Sequence, residues 1–216
     1  MKKEGKAMIV IIDYGVGNLF SLTSSLRAIG AEVTVSGDPG MIRKADKLIL
    51  PGVGAFEDAA AKLRADGLDK IVLEAVEAGK PLLGICLGMQ LLFEKSYEYG
   101  EHEGLGILKG SILPFSKVLD KSYKIPHIGW NALHFDQSIP IFRYVKDGDF
   151  VYFVHSYYAP YEVASRAAST EYGIEFSSAV AQGNVFGCQF HPEKSGRVGL
   201  DILRGFAELG GEEKKV

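Results

Sequence analysis

The sequence has few cysteines, no long apolar run and little excess of charge. Its 216 residues include only Cys86 and Cys188, which excludes a disulfide framework. No apolar run is long enough to cross a bilayer, and residues 1–7 lack the apolar core of a signal peptide. These features predict a protein of the reducing cytoplasm with no membrane partner.

The charge balance limits the partners further. A net charge of −3 gives no general attraction to nucleic acid, so no nucleic-acid partner is expected. The composition, 47% hydrophobic and 24% charged, is that of a globular protein, and the length suits one domain.

Short apolar runs alternate with helical patterns in the first half of the chain. Strands are predicted at residues 8–12, 32–35, 47–50 and 81–85. Helices are predicted at residues 19–29, 55–64 and 68–78, and from Cys86 onward. This alternation predicts an α/β fold with a parallel sheet and helices on both faces.

The second half has strand-like runs that lie closer together. They are predicted at residues 111–114, 150–155, 164–169, 178–182 and 185–190. Gly183 and Asn184 separate the last two runs as a hairpin turn, and residues 198–209 form a closing helix. No shift in composition marks a linker, so we expect one domain with added antiparallel strands.

The segment 82–90, Leu-Leu-Gly-Ile-Cys-Leu-Gly-Met-Gln, places Cys86 in a glycine-flanked turn between a strand and a helix. Small neighbours permit a sharp, strained turn that lifts the thiol out of the sheet, as in a nucleophile elbow. The start of a helix also favours the reactive thiolate. A buried cysteine in a tight turn remains the alternative.

His191 and Glu193 offer a base and a carboxylate that orients it. They follow a strand, as Cys86 does, so the two groups are expected to meet at the carboxyl edge of the sheet. Gln90 shares a helix face with Cys86 and could hold a polar substrate. The alternatives are a strand-ending turn and a solvated glutamine.

The turn Pro51-Gly52-Val53-Gly54 can direct backbone N–H groups toward an oxyanion, although an ordinary strand-to-helix turn has the same composition. Residues 13–18 resemble a dinucleotide fingerprint but lack its third glycine, and no ATP loop is present. Cys188 is expected in the core. His102 and His134 show no metal-ligand spacing, so no metal or cofactor is expected.

In their joint order, these motifs resemble those of the class I glutamine amidotransferases. Finer segments are similar to the glutaminase subunits of imidazole glycerol phosphate synthase. They are Asp-Tyr-Gly-Val-Gly-Asn (13–18), Pro-His-Ile-Gly-Trp-Asn (126–131), Phe-Val-His-Ser-Tyr-Tyr (153–158) and Gly-Cys-Gln-Phe-His-Pro-Glu-Lys-Ser (187–195). The resemblance implies a flavodoxin-like amidotransferase domain over residues 8–209. Residues 1–7 would be an N-terminal extension and residues 210–216 a flexible tail.

The resemblance also implies roles for individual residues. Cys86, His191 and Glu193 would hydrolyse glutamine to glutamate and ammonia. The backbone N–H groups of Val53 and Leu87 would form the oxyanion hole. The residues that would hold L-glutamine are Gly52, Gly54, Gln90, Glu98, His155, Ser156 and Tyr157.

The implied partner is a (βα)₈-barrel cyclase in a heterodimer. Ammonia would pass through the barrel to a phosphoribulosyl formimino carboxamide nucleotide. The products would be imidazole glycerol phosphate and an aminoimidazole carboxamide ribonucleotide, in histidine biosynthesis. The residues expected at this interface are Tyr152, Lys194, Trp130, Asn131 and Asn18.

Three other functions remain open at this stage. The chain could be the glutaminase of pyridoxal phosphate, anthranilate or guanylate synthesis, although the segments 126–131 and 153–158 argue against these. It could be a cysteine hydrolase or peptidase that acts alone. It could also be a non-enzymatic scaffold, which the intact set of Cys86, His191 and Glu193 argues against.

Overall fold

The computed structural model describes residues 7–135 and 138–210. The predicted extension (1–7) and tail (210–216) lie outside the described residues except for their innermost residues. The helices are α1 (Leu19–Ala28), α2 (Pro39–Lys44), α3 (Phe56–Ala65), α4 (Leu68–Glu77), α5 (Leu87–Gln90) and α6 (Gly196–Ala207). The strands are β1 (Met8–Ile12), β2 (Glu32–Ser36), β3 (Lys47–Leu50), β4 (Leu82–Ile85), β5 (Phe93–Ser96), β6 (His102–Glu103), β7 (Leu108–Pro114), β8 (His127–Ala132), β9 (Phe150–His155), β10 (Tyr157–Pro160), β11 (Arg166–Glu171), β12 (Glu175–Gln182) and β13 (Val185–Cys188).

A large mixed sheet forms the centre of the fold. Its order is β2-β1-β3-β4-β13-β12-β10-β7-β5-β6, with β11 paired to β12. The run from β2 to β13 is parallel, and antiparallel pairing begins between β13 and β12. The predicted combination of a parallel sheet with added antiparallel strands is therefore confirmed.

Alternation along β1 divides the core between the two faces of the sheet. Ile9 and Ile11 pack with Leu22 of α1 and Phe206 of α6 on one face. Val10 and its even-numbered neighbours pack on the other face with apolar side chains of α3 and α4. Because successive strand residues point to opposite faces, a parallel strand covered on both sides must be apolar throughout, as β1 is.

Local capping explains where two of the helices begin. The Asn18 side chain accepts a hydrogen bond from Ser21 N at the start of α1. Asp38 does the same for Met41 N at the start of α2, with Pro39 in the first turn. Both residues are preferred N-caps. The sequence analysis assigned no helix to α2, which has only six residues.

The parallel strands β3, β4 and β13 lie side by side, so the segments that follow them meet at one edge of the sheet. These segments are the turn 51–54, the turn at Cys86 and the stretch leading to His191. A separate antiparallel pair, β8–β9, lies close by, and His191 N donates to Tyr152 O of β9. The fold thus assembles the candidate site from four parts of the chain.

Candidate active site

Cys86 occupies the strained turn that the sequence predicts. Its backbone has φ +54° and ψ −112°, a conformation that non-glycine residues rarely adopt. Glycines surround it for steric reasons. A Cβ at Gly88 would lie 1.9 Å from Leu50 O, and one at Gly84 would lie 2.7 Å from Gly88 O. The turn is therefore held by close backbone packing that larger residues would disrupt.

The helix predicted to start at Cys86 is a single short turn. Helix α5 ends at Gln90, and the chain enters β5 at Phe93. The apolar residues 91–93 are buried, and β5 pairs with β7 and β6, so sheet pairing replaces the expected helix. A single helical turn has only a small dipole, so the expected helix-end effect on the thiol is weak.

The thiol of Cys86 is less exposed than the sequence analysis expects. The residue is only 7% exposed and belongs to the core cluster on one face of the sheet. It nevertheless lines a cavity of about 340 Å³, a size typical of small-molecule sites. The thiol is thus part of the cavity wall and does not project from the surface.

The wall of this cavity contains most of the predicted site residues. It is formed by Val53, Gly54, Cys86, Leu87, Gln90, Glu98, Pro126, Val154, His155, Ser156, Tyr157, His191 and Lys194. Gly52 and Glu193 are not part of this wall. A Cβ at Gly52 would lie 2.7 Å from Gly88 N, so Gly52 lies behind the cavity and packs against the turn at Cys86.

His191 and Glu193 form a buried pair beside Cys86. His191 Nδ1 donates to Glu193 Oε1 at 2.8 Å, and both side chains are almost fully buried. Burial alone would lower the pKa of His191, but the hydrogen bonds and charges of Cys86 and Glu193 raise it to about 10. Such a histidine is held as an imidazolium next to the sulfur, the arrangement used in nucleophilic cysteine chemistry.

The turn 51–54 contributes Val53 and Gly54 to the cavity wall. Val53 is 43% exposed, and Gly54 has φ +91°. Within the described part of the chain, the backbone N–H groups of Val53 and Leu87 have no hydrogen-bond acceptor. Both residues line the cavity.

Gln90 lies inside the protein and not on a solvated surface. It is buried, and its Nε2 donates to Tyr157 O at 3.2 Å and to Gln189 Oε1 at 3.0 Å. Gln189 in turn donates from Nε2 to Cys86 Sγ at 3.8 Å. Gln189 has no role of its own among the sequence-based predictions. A polar residue within the apolar run 185–190 is the signal that could have identified it.

Glu98 is a further polar residue of the cavity wall. Its Oε2 accepts from Phe56 N at 2.6 Å, which caps α3, a helix whose own N-cap is Ala55. Burial raises the pKa of Glu98, while the bond from Phe56 partly opposes this shift. The carboxylate therefore links the end of β5 to the helix that follows the turn 51–54.

A pair of buried histidines supports the segment 155–157. His155 Nδ1 lies 2.8 Å from Tyr157 O. The other ring nitrogen, His155 Nε2, lies 3.1 Å from His127 Nδ1. His127 Nε2 contacts Asn131 Oδ1 at 2.8 Å. Burial lowers the pKa of His155 to about 3 and also lowers that of His127. Burial thus disfavours a positive charge on either ring.

Three of the five residues predicted at the partner interface lie together. Trp130 faces Tyr152 across the β8–β9 pair with ring centroids 5.9 Å apart, and Lys194 Nζ lies 6.0 Å from the Tyr152 ring. Trp130 is 51% exposed. The other two have contacts within the chain, since Asn131 bonds to His127 and Asn18 caps α1.

Other kinds of site find little support in the described ranges, residues 7–135 and 138–210. No group of histidine, cysteine or acidic side chains there could hold a metal ion. No helix among those residues is long and apolar enough to span a membrane.

A comparison with protein families shows to which family the chain belongs. A model described as glutamine amidotransferase class-I matches residues 10–208. The chain belongs to the class I glutamine amidotransferases. It is thus an enzyme of this class, as the resemblance of its motifs implies.

Curated relatives show to which group within the amidotransferases this chain belongs. The protein named imidazole glycerol phosphate synthase subunit HisH from Caldanaerobacter subterraneus is 50% identical over 203 residues, covering 94% of this chain and 98% of the relative. The protein of the same name from Aquifex aeolicus is 51% identical over 199 residues, covering 91% and 94%. The chain therefore belongs to the HisH family, which confirms the more specific resemblance.

Solved structures support the fold of this amidotransferase. A crystal structure of a glutamine amidotransferase aligns with a TM-score of 0.72 at 20% identity, over 93% of this chain and 97% of the other. The structure of PurLQS from Thermotoga maritima aligns with a TM-score of 0.73 at 22% identity, over 94% and 98%. At such identities the similarity concerns the fold alone, and it confirms the predicted fold.

Proposed function

We propose that this amidotransferase hydrolyses L-glutamine at Cys86 and transfers the ammonia to a cyclase partner. The observation that carries the proposal is the buried His191–Glu193 pair, joined at 2.8 Å beside a cysteine in a strained turn. The cavity at this cysteine leaves room for a small substrate. Family membership supplies the substrate class, a carboxamide.

The reaction proceeds in two halves. The Cys86 thiolate attacks the carboxamide carbon of glutamine, and the protonated His191 gives its proton to the leaving ammonia. Neutral His191 then takes a proton from water, which attacks the thioester and releases glutamate. Glu193 holds the imidazole by its Nδ1–H and stabilises the imidazolium.

The oxyanion of each tetrahedral intermediate would lie near Val53 and Leu87. Their backbone N–H groups have no acceptor among the described residues, and both residues line the cavity. Gly52 would support this arrangement from behind by its packing against the turn at Cys86. One such donor is typically worth about 3 kcal/mol of barrier.

The remainder of the cavity wall would hold the amino-acid part of glutamine. Glu98 offers a carboxylate for the substrate's ammonium group, and Gln90 offers an amide oxygen. Gly54 and the segment His155-Ser156-Tyr157 would complete the enclosure.

The proposed partner is a (βα)₈-barrel cyclase, in a heterodimer that works in histidine biosynthesis. The relatives are named as subunits of imidazole glycerol phosphate synthase, which supports a second subunit. Ammonia would pass through the barrel to a phosphoribulosyl formimino carboxamide nucleotide. Imidazole glycerol phosphate and an aminoimidazole carboxamide ribonucleotide would be released.

The interface would include Trp130, Tyr152 and Lys194, which lie together and of which Lys194 lines the cavity, and Asn131 and Asn18 as further members. We take residues 8–209 as the amidotransferase domain. Because the reaction needs a free thiol, we propose that the chain works in the reducing cytoplasm.

The test combines labelling with turnover. Diazo-oxo-norleucine, a glutamine-like electrophile, should alkylate Cys86 in the chain with its cyclase, while glutamine should be hydrolysed and the cyclase product formed. Cys86→Ala should abolish both labelling and hydrolysis, whereas Cys188→Ser should retain both. Hydrolysis that persists without Cys86 would contradict the proposal, and a folded chain that is neither labelled nor active would favour a scaffold.

A further inference from the structure

Gln189 is a fully buried polar residue outside the wall of the cavity. It follows β13 and lies two residues before His191, and its backbone N–H donates to Ser178 O at 2.9 Å. Its side-chain amide lies between Cys86 and Gln90, which do line the cavity. Buried polar groups are kept only where they are satisfied, so this placement needs an explanation.

The orientation of both amides follows from one backbone carbonyl. Tyr157 O can only accept, so the group of Gln90 that faces it must be the amino group. The same amino group faces Gln189, which must then present Oε1 as acceptor. The amino group of Gln189 therefore faces Cys86 Sγ and donates to it at 3.8 Å.

Each amide thereby presents one specific atom to the site. The sulfur receives an N–H donor, which favours the thiolate over the thiol because a charged acceptor binds a donor more strongly. Gln90 uses Nε2 for two contacts within the chain, and its Oε1 accepts no bond from the described residues. That oxygen remains as the acceptor that Gln90 contributes to the cavity.

We propose that Gln189 is a positioning residue. Its side-chain N–H stabilises the Cys86 thiolate, and its Oε1 orients Gln90 so that Gln90 Oε1 meets the substrate. The proposal rests on the proposed function, since it assigns the atoms that serve the same reaction. The Gln189 side chain then has two tasks. Its Nε2 donates to the nucleophile Cys86, and its Oε1 accepts from Gln90.

Two substitutions separate these tasks. Gln189→Glu keeps an oxygen for Gln90 but removes the donor to the sulfur, whereas Gln189→Met keeps the length and removes both. The measurement is the alkylation rate of Cys86 by iodoacetamide against pH, in the full chain, with mass spectrometry to separate Cys86 from Cys188. The control is Gln182→Glu, the same substitution at the exposed end of β12.

In Gln189→Glu and Gln189→Met, the alkylation profile should change, with about tenfold slower alkylation of Cys86 near pH 7. Gln182→Glu should match the wild-type chain. If the buried charge of Gln189→Glu prevents folding, Gln189→Met carries the test alone. An unchanged profile in folded Gln189→Met would overturn the proposal.

Kinetics with the cyclase test the second task. Gln189→Glu should lower kcat for glutamine and keep KM, whereas Gln189→Met should also raise KM several-fold. Equal KM in both variants would overturn the assignment of Gln90 Oε1. If the wild-type complex hydrolyses no glutamine, the proposed function fails, while the alkylation profile still decides whether Gln189 supports the thiolate.

Discussion

The phenolic hydroxyl of Tyr14 donates a hydrogen bond to the backbone carbonyl of Pro51 at 2.6 Å. Burial, and to a smaller extent Cys86, raise the pKa of Tyr14, so the hydroxyl stays protonated and remains a donor. Pro51 begins the turn that carries Val53. The bond therefore connects the loop before α1 to the proposed oxyanion hole.

Tyr14→Phe should loosen this turn without opening the core. We expect a stability loss of about 1–2 kcal/mol, because the buried carbonyl loses its donor. With the cyclase, kcat for glutamine should fall about tenfold, or about 1.4 kcal/mol, with little change in KM. The control is Tyr172→Phe, which removes a hydroxyl that donates to Lys124 O and not to the turn. Equal kinetics in both variants would contradict the role of Tyr14.

Cys86→Ala should abolish glutamine hydrolysis and keep the fold. The thiol lies at the cavity wall, and the turn depends mainly on glycine packing, so a smaller side chain leaves the turn intact. In the complex, synthesis from ammonium salts should persist, because the acceptor site is on the partner. Residual hydrolysis above about a thousandth of the wild-type rate would exclude Cys86 as the nucleophile.

Cys188→Ser should retain activity and lose about 1 kcal/mol of stability in urea denaturation. Cys188 is fully buried, and burial raises the pKa of its thiol, as expected of a packing residue. Both cysteines are free in the structure, so denaturation without reductant should release two thiols. A hundredfold loss of activity in the folded variant would give Cys188 a direct role instead.

The stability of the chain should fall in mild acid because of its buried histidines. Burial lowers the pKa of His155 to about 3, while an unfolded histidine titrates near 6.5. Below about pH 6.5 the unfolded chain therefore binds a proton that folded His155 does not, so the stability decreases down to about pH 3. Each such group contributes about 1.4 kcal/mol per pH unit, and His127 acts in the same direction.

Urea denaturation at pH 7.5, 6.5 and 5.5 measures this effect. His155→Asn should show a shallower loss of stability between pH 6.5 and 5.5 than the wild-type chain. The control is His134→Asn at an exposed histidine, which should keep the wild-type slope. Parallel profiles for the wild-type chain and His155→Asn would contradict the assignment.

The sequence predicted the parts of the site that follow strands. The apolar run before Cys86 and the run before His191 both read as strands, and parallel strands bring their carboxyl ends together. The hairpin at Gly183-Asn184 is predicted by its turn residues and the strand-like runs on either side, and it is present between β12 and β13.

The remainder depends on tertiary packing that local patterns do not encode. Residues 91–93 follow the predicted start of a helix, yet they lead into β5 because the later strands β6 and β7 pair with it. Strand β8 was not assigned, since its pairing with β9 spans a long connection. The bonds that join Gln189 to Gln90 and Cys86 link residues about a hundred positions apart.

The isolated chain should be a poor glutaminase that the loaded cyclase activates. The turn at Gly52-Val53-Gly54 can rotate a peptide unit, since glycine imposes little steric barrier, and no described residue accepts a bond from Val53 N–H to fix it. If the Val53 carbonyl turns inward, the oxyanion loses one donor, at a cost of about 3 kcal/mol or roughly a hundredfold in rate. Nucleotide binding to the cyclase would then favour the inward N–H through the shared interface. Glutamine turnover should therefore rise from the chain alone, through the empty complex, to the complex with nucleotide. Equal turnover in all three states would instead indicate a hydrolase that works without a partner.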